Sequence, residues 1–284
     1  MSKVIYSHGM TKLQMVELVN RADMNNMGTK KSVPCYIVDD YAIIKSNIAC
    51  SHYAEQESVI EIGHKLADNG VNVVRTYGYI SDESTRRDGR TASYCDCYFI
   101  MDRAPGQELY RNVTYSYGKT SAEDINSLFE YLEMMNNIPQ EHYDKYVADY
   151  LAIRGNGIAV DPSKKGNFFY DPEKGFTFID VRNPRGPEDE RFVVQNILYP
   201  VAPGTLCLDD MDNPELVRRY DILAAGILVK MEHALLVNGF DRQSIDDSIA
   251  PKKFEDGVYT SGVRFGSITC LDEAEHIVEN DIVM

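Results

Sequence analysis

Tyr98-Phe99-Ile100-Met101-Asp102-Arg103-Ala104-Pro105-Gly106-Gln107-Glu108-Leu109 is the stretch on which the reading of this 284-residue chain turns. Its first part, with Tyr94–Tyr98 before it, is rich in aromatic and apolar residues and predicts a strand ending at Met101. Arg103-Ala104-Pro105-Gly106 then breaks regular structure, because proline lacks an N–H donor and glycine admits positive φ. Upstream the chain reads as strand-rich and downstream as helix-rich. Two lobes joined by a hinge follow: 1–101, a hinge at 102–106, and 107–284.

Working upstream, Leu13, Met15, Val16, Leu18 and Val19 give Met10–Arg21 a helical apolar period. A polar stretch, 25–32, holds one glycine, Gly28. Cys35–Val38 and Ala42–Ile44 flank Asp39-Asp40 and predict a tight hairpin, with Lys45 closing the second run. A helix is expected over 52–67, a strand over 71–80, and an exposed loop over the charged 81–91. Downstream, helices are expected over 121–136, 142–152 and 215–236. Short strands are expected over 157–160, 167–170 and 176–179, the last ending at Asp180. Little chain follows Leu236, which implies a trimmed second lobe.

The composition, 44% hydrophobic and 26% charged, is that of a globular chain with enough apolar surface for a core. A net charge of −15 repels a phosphate backbone, so no nucleic-acid partner is expected, although one nucleotide can still be held by a few N–H groups and a cation. No apolar run reaches 18 residues and the first residues lack the apolar core of a signal peptide, so no membrane association is expected. Six cysteines without CxxC spacing fit a reducing, cytoplasmic setting.

Four segments carry a resemblance. They are the strand and hinge above; Tyr41-Ala42-Ile43-Ile44-Lys45; Asp161-Pro162-Ser163-Lys164-Lys165-Gly166-Asn167 with Asp180 thirteen residues later; and Tyr220-Asp221 with Gly226 in the long helix. In that order they resemble the protein kinase-like superfamily, in a divergent eukaryotic-type Ser/Thr kinase-like form with irregular loops like those of bacterial toxin kinases. The resemblance implies an α+β fold: a small antiparallel sheet with one main helix, then a helical lobe with the catalytic loop and metal site.

It also implies roles. Met101 would be the gatekeeper, Asp102 and Ala104 would offer backbone contacts to the adenine, and Glu108 would lie near the ribose. Lys45 would hold the α- and β-phosphates and pair with a glutamate of the following helix. Val59, Ile62 and Leu66 mark an apolar face on which only Glu55 lies, so Glu55 is the expected partner, with Glu57 kept open. Asp161 would orient the acceptor hydroxyl and Lys164 would contact the γ-phosphate. Asn167 and Asp180 would ligate Mg2+ or Mn2+, hard cations that prefer oxygen donors. Asp221 would cap the long helix and tie down the catalytic loop.

The chain departs from the family at several points. Gly28 stands where three glycines are usual. Asp161 lies six residues before Asn167, where five is usual, and Ala159-Val160 replaces the His-Arg before it. No Phe-Gly follows Asp180. Without that arginine a phosphorylated activation segment lacks its usual partner, so no activation switch of the ordinary kind is expected. The expected activity is ATP- and Mg2+-dependent phosphoryl transfer to protein Ser/Thr hydroxyls. The alternatives are a nucleotide-binding pseudokinase, a small-molecule kinase acting on an aminoglycoside or choline-like alcohol, and transfer of the nucleotide itself.

Overall fold

The computed structural model describes residues 3–25, 34–49, 52–89, 92–109, 122–160, 167–179, 181–182, 189–203, 213–249, 253–255, 258–260 and 262–281. The chain divides into two compact units. One comprises Met1–Gln107, Ala152–Val160 and Thr177–Arg185; the other comprises Glu108–Leu151, Asp161–Phe176 and Gly186–Met284.

The first unit is built on a five-stranded antiparallel sheet ordered β1-β4-β5-β3-β2. Its strands are β1 (Lys3–Ser7), β2 (Cys35–Val38), β3 (Tyr41–Ala49), β4 (Thr76–Asp88) and β5 (Ser93–Asp102). Helix α1 (Lys12–Asn25) covers one face: Met15, Leu18, Val19 and Ala22 pack with Val38, Ile43, Ile80 and Ile100. Helix α2 (Tyr53–Asp68), inserted between β3 and β4, covers the other, with Ile60 against Tyr79 and Cys97. The expected hairpin forms, and its turn places Asp39 at φ +53°, a conformation that Asp tolerates better than most residues. β1 can lie close to β4 because Gly78 has no side chain, and a Cβ there would collide with the Tyr6 carbonyl.

The exposed loop expected over 81–91 is instead strand through Asp88, paired with β5 as Arg87↔Tyr94 and Asp88↔Ser93. This extension carries polar side chains because both its faces meet water, so it lacks the alternation that marks a half-buried strand. Its own hydrogen bonds hold it. The Asp96 N–H donates to Thr85 Oγ1 at 2.8 Å, and Arg87 donates to Asp96 Oδ1 at 2.6 Å. Residues 177–179 and 181–182 belong to this unit: the Phe178 N–H donates to Asn72 O, and Phe178 O accepts from the Val74 N–H.

The second unit is mainly helical. It contains α3 (Ala122–Asn137), most of α4 (Gln140–Gly155), α5 (Glu190–Leu198), α6 (Pro214–Val237), α7 (Arg242–Ile249) and α8 (Leu271–Asp281), with a short β9–β10 pair (Lys253–Glu255, Val258–Thr260). The C-terminal part is therefore not bare: α8 packs along α6, and α7 packs on α5. Asn213 caps α6, its side chain accepting from the Leu216 N–H ahead of Pro214. A small sheet orders β6 (Gln107–Glu108), β7 (Phe168–Asp171) and β8 (Gly175–Phe178). Phe168 and Phe176 stack with centroids 5.2 Å apart and meet the buried Tyr146.

Candidate functional site

Two backbone hydrogen bonds set the edge of the first unit at the end of β5. Met101 is buried and pairs with Ala42 on β3. The Asp102 N–H donates to Arg75 O at 2.9 Å, and the Arg103 N–H donates to Asp40 O at 2.8 Å. The Ala104 N–H has no acceptor among the described residues. The Asp102 carboxylate accepts from Tyr77 Oη at 2.8 Å. Burial and that carboxylate push the Tyr77 phenol up to about 12. Two consecutive amides are thus fixed, and the next one along is open. Glu108, half-buried on β6, belongs to the second unit.

Lys45 lies elsewhere than expected. The register Ala42↔Met101, Ile43↔Ile100, Ile44↔Phe99, Lys45↔Tyr98 is unbroken. Directly paired residues share a face, and neighbours along a strand alternate. Lys45 therefore shares the α1 face with Ile43 and Ile100, whereas Met101, Ala42 and Phe99 lie on the α2 face. The sheet separates the lysine from the helix meant to supply its glutamate. Its partner is Asp96, with Nζ 3.1 Å from Oδ2, and the ammonium lies 5.4 Å from the Tyr98 ring centre. The hydrogen bond to Asp96 raises the lysine's pKa more than desolvation lowers it. Asp96, nearly buried, also binds Arg87 and so joins two cations. This pairing escaped sequence reasoning because strand parity decides it.

The glutamates of α2 change places for a related reason. The buried residues are Val59, Ile60, Gly63, His64 and Leu66. The inward stripe is therefore rotated from the one drawn through Val59, Ile62 and Leu66. Glu55 is exposed in the first turn, while Glu57 accepts from the buried Tyr79 Oη at 2.9 Å. Glu61 accepts from Tyr6 Oη at 3.0 Å. Tyr53 and Tyr6 both stack with Tyr79, with centroids 5.4 and 5.9 Å away. Burial, then the Glu57 bond, pushes the Tyr79 phenol far up, so it stays a donor. These carboxylates anchor tyrosines.

Of the remaining expected residues, Gly28, Asp161, Lys164 and Asp180 lie outside the described residues. Asn167 is half-buried at the start of β7 in the second unit. The hairpin it leads into turns at Asp171, whose Oδ1 accepts from the Glu173 and Lys174 N–H groups at 2.9 and 3.0 Å. His142 Nδ1 and Tyr170 Oη lie 3.2 Å apart beside it. Among the described residues, no group of three or more His, Cys, Asp and Glu side chains is placed to hold a metal ion. No helix among them is long and apolar enough to cross a membrane.

Asp221 does not cap α6, which begins seven residues earlier at Pro214. Its two carboxylate oxygens accept from the Ser267 N–H at 3.0 Å and from Ser267 Oγ at 2.5 Å, holding the turn before α8. Gly226 serves the contact of α3 with α6, since a Cβ there would overlap the Asn136 side-chain oxygen. Asn136 Nδ2 bridges Leu132 O and Leu223 O at 2.9 and 2.8 Å. The Asp-x4-Gly spacing thus has a packing explanation within this unit.

No family model matches the chain, and no curated protein matches it. Among solved structures it is similar to an aminoglycoside phosphotransferase from Streptomyces rimosus. That likeness covers 83% of this chain and 96% of the other at 10% identity, with a TM-score of 0.33.

Proposed function

We propose that the chain is a protein kinase-like phosphotransferase that takes ATP with Mg2+ or Mn2+, the purine lying along Met101–Ala104. The observation that carries this reading is the hinge edge. Met101 is buried one residue before the end of β5, the next two amides are spent on Arg75 and Asp40, and the Ala104 N–H has no acceptor among the described residues. A purine ring nitrogen is such an acceptor. Asp161 is proposed as the group orienting the acceptor hydroxyl, Lys164 as a γ-phosphate contact, and Asn167 and Asp180 as the cation's oxygen ligands. Lys45 has no place in this proposal, because its side chain leaves the sheet on the face opposite Met101. Gly28, in the polar stretch before β2, remains the proposed backbone approach to the phosphates.

The acceptor is proposed as a hydroxyl, on a protein Ser/Thr or on a small cationic alcohol. The second option is favoured by one observation. Asp221, which the protein-kinase resemblance assigns to holding the catalytic loop, gives both carboxylate oxygens to Ser267. A net charge of −15 would also attract a cation.

Turnover of γ-phosphate from ATP with Mg2+ or Mn2+ tests the reading, with Asp161→Asn and Asp180→Ala as controls. Phosphate release or labelled acceptor abolished by both substitutions supports a phosphotransferase. ATP-dependent stabilisation without turnover on proteins, aminoglycosides or choline would leave a nucleotide-binding pseudokinase. A product carrying AMP would mean nucleotide transfer.

A further inference from the structure

We infer that α1 positions the hinge backbone, and that Arg21 is the positioning residue through which it acts. Arg21 projects from the last turns of α1 and grips both oxygens of Asp39, Nη1 to Oδ2 at 2.7 Å and Nη2 to Oδ1 at 2.9 Å. Asp39 is the one described non-glycine residue at positive φ, +53°, in the turn between β2 and β3. That conformation is strained for an L-residue and has an extended alternative. The carboxylate held by a planar guanidinium favours the turn as it stands, since a two-bond grip fixes orientation as well as distance.

The next residue connects the turn to the hinge. The carbonyl of Asp40 accepts the Arg103 N–H at 2.8 Å, and Ala104 with its open amide follows directly. Rotation of the Asp39 backbone would swing the Asp40 carbonyl off Arg103 and release the amide on which the direction of the Ala104 N–H depends. The apolar side of α1 is locked to the sheet through Met15, Leu18, Val19 and Ala22, so Arg21 acts from a fixed base. The bracing itself is independent of any ligand. Its consequence for a purine at Ala104 rests on the proposed function.

The test compares the full chain with Arg21→Ala, Asp39→Asn, which keeps a residue tolerant of positive φ, and the double variant. Amide hydrogen exchange and ATP affinity are both measured. An exposed bidentate pair predicts that Arg103 N–H exchange rises about two- to fivefold in each single variant and no further in the double. The Ile43 and Ile100 amides should be unchanged, and Arg21→Lys, with its charge but not its fork, should fall between. ATP affinity should fall by the same factor. Unchanged Arg103 exchange overturns the inference, as does acceleration spread evenly over the unit, which would make the pair merely structural. Accelerated Arg103 exchange with ATP affinity intact overturns the positioning role. If the wild-type chain does not bind ATP, the proposed function fails instead, and the exchange results alone decide whether α1 braces the hinge.

Discussion

Lys45 and Met101 leave adjacent strands of one sheet in opposite directions. Ala42, not Lys45, is the residue paired with Met101, and Lys45 stands three positions further along β3. An odd offset puts the ammonium on the α1 face, where Asp96 accepts it. A nucleotide docked along Met101 would therefore not touch this lysine. Lys45→Ala is expected to leave ATP affinity within about twofold, and to cost about 0.5–1 kcal/mol of stability because Asp96 keeps Arg87. Calorimetric titration with ATP, alongside urea unfolding, checks both. A tenfold loss of affinity with stability unchanged would place Lys45 on the phosphates after all.

The same parity shows what the sequence could and could not convey. The hairpin at Asp39-Asp40, strand β5 to within one residue of its end at Asp102, and the long α6 were legible, because turn residues and apolar runs are local signals. The partner of Lys45 was not legible, since one residue of register decides which face it takes. The tyrosine partner of Glu57 was not legible either, because a periodicity drawn through three apolar residues cannot register a tyrosine hydroxyl waiting on the sheet. β1 carries no local signal: Lys3–Ser7 is a short edge strand, and nothing near it in sequence announces its pairing with β4. Asp221 and Gly226 read as a functional signature because their spacing is visible in the sequence. Their partners, Ser267 and Asn136, lie 46 and 90 positions away.

His64 predicts a pH dependence of stability. The ring is buried on α2, 4.3 Å from the His8 ring and 5.5 Å from Tyr77, with Nε2 2.9 Å from Thr76 O. Desolvation first, with His8 and Arg75 adding to it, holds its pKa below the ordinary 6.5, against the opposing pull of the Thr76 bond and Asp68. The unfolded chain then takes up the proton first as pH falls. Stability is full above about pH 6.5 and is lost as pH drops from there through the folded pKa. His64→Gln, which can still donate to Thr76 O, is expected to remove that part of the decline. Urea midpoints between pH 5 and 8 for both proteins give the difference, and a His64 NMR titration at or above 6.5 would contradict it.

Gly226→Ala should separate α3 from α6. The added methyl meets the Asn136 side chain, which is committed to Leu132 O and Leu223 O. Overpacking of this kind costs about 1–3 kcal/mol. Asn136→Ala on the glycine background loses two hydrogen bonds, for about 1–2 kcal/mol. Because each change removes what the other would clash with or lose, the double variant should be less destabilised than the sum. Additive losses in urea unfolding would mean that the helices part for another reason.

Arg242 gathers three carboxylates at the start of α7. Nη1 lies 2.5 Å from Glu232 on α6 and 3.0 Å from Glu275 on α8, and Nη2 lies 2.8 Å from Asp272 and 2.9 Å from Glu275. Glu232 is buried, and desolvation, the largest influence on it, raises its pKa despite Arg242. Arg242→Met would leave a buried carboxylate beside two others. The cost should be about 2–3 kcal/mol, below the 3–5 of a fully buried pair because Arg242 is 39% exposed. Adding Glu232→Gln should restore part of that loss, because a neutral amide removes the repulsion while keeping the shape. The sign separates two accounts. If the network matters through charge, the second substitution stabilises the first variant, and its benefit shrinks as pH falls and Glu232, whose pKa is raised, takes up a proton. If Arg242 matters through packing of its stem against α6 and α8, the second substitution gives no recovery at any pH.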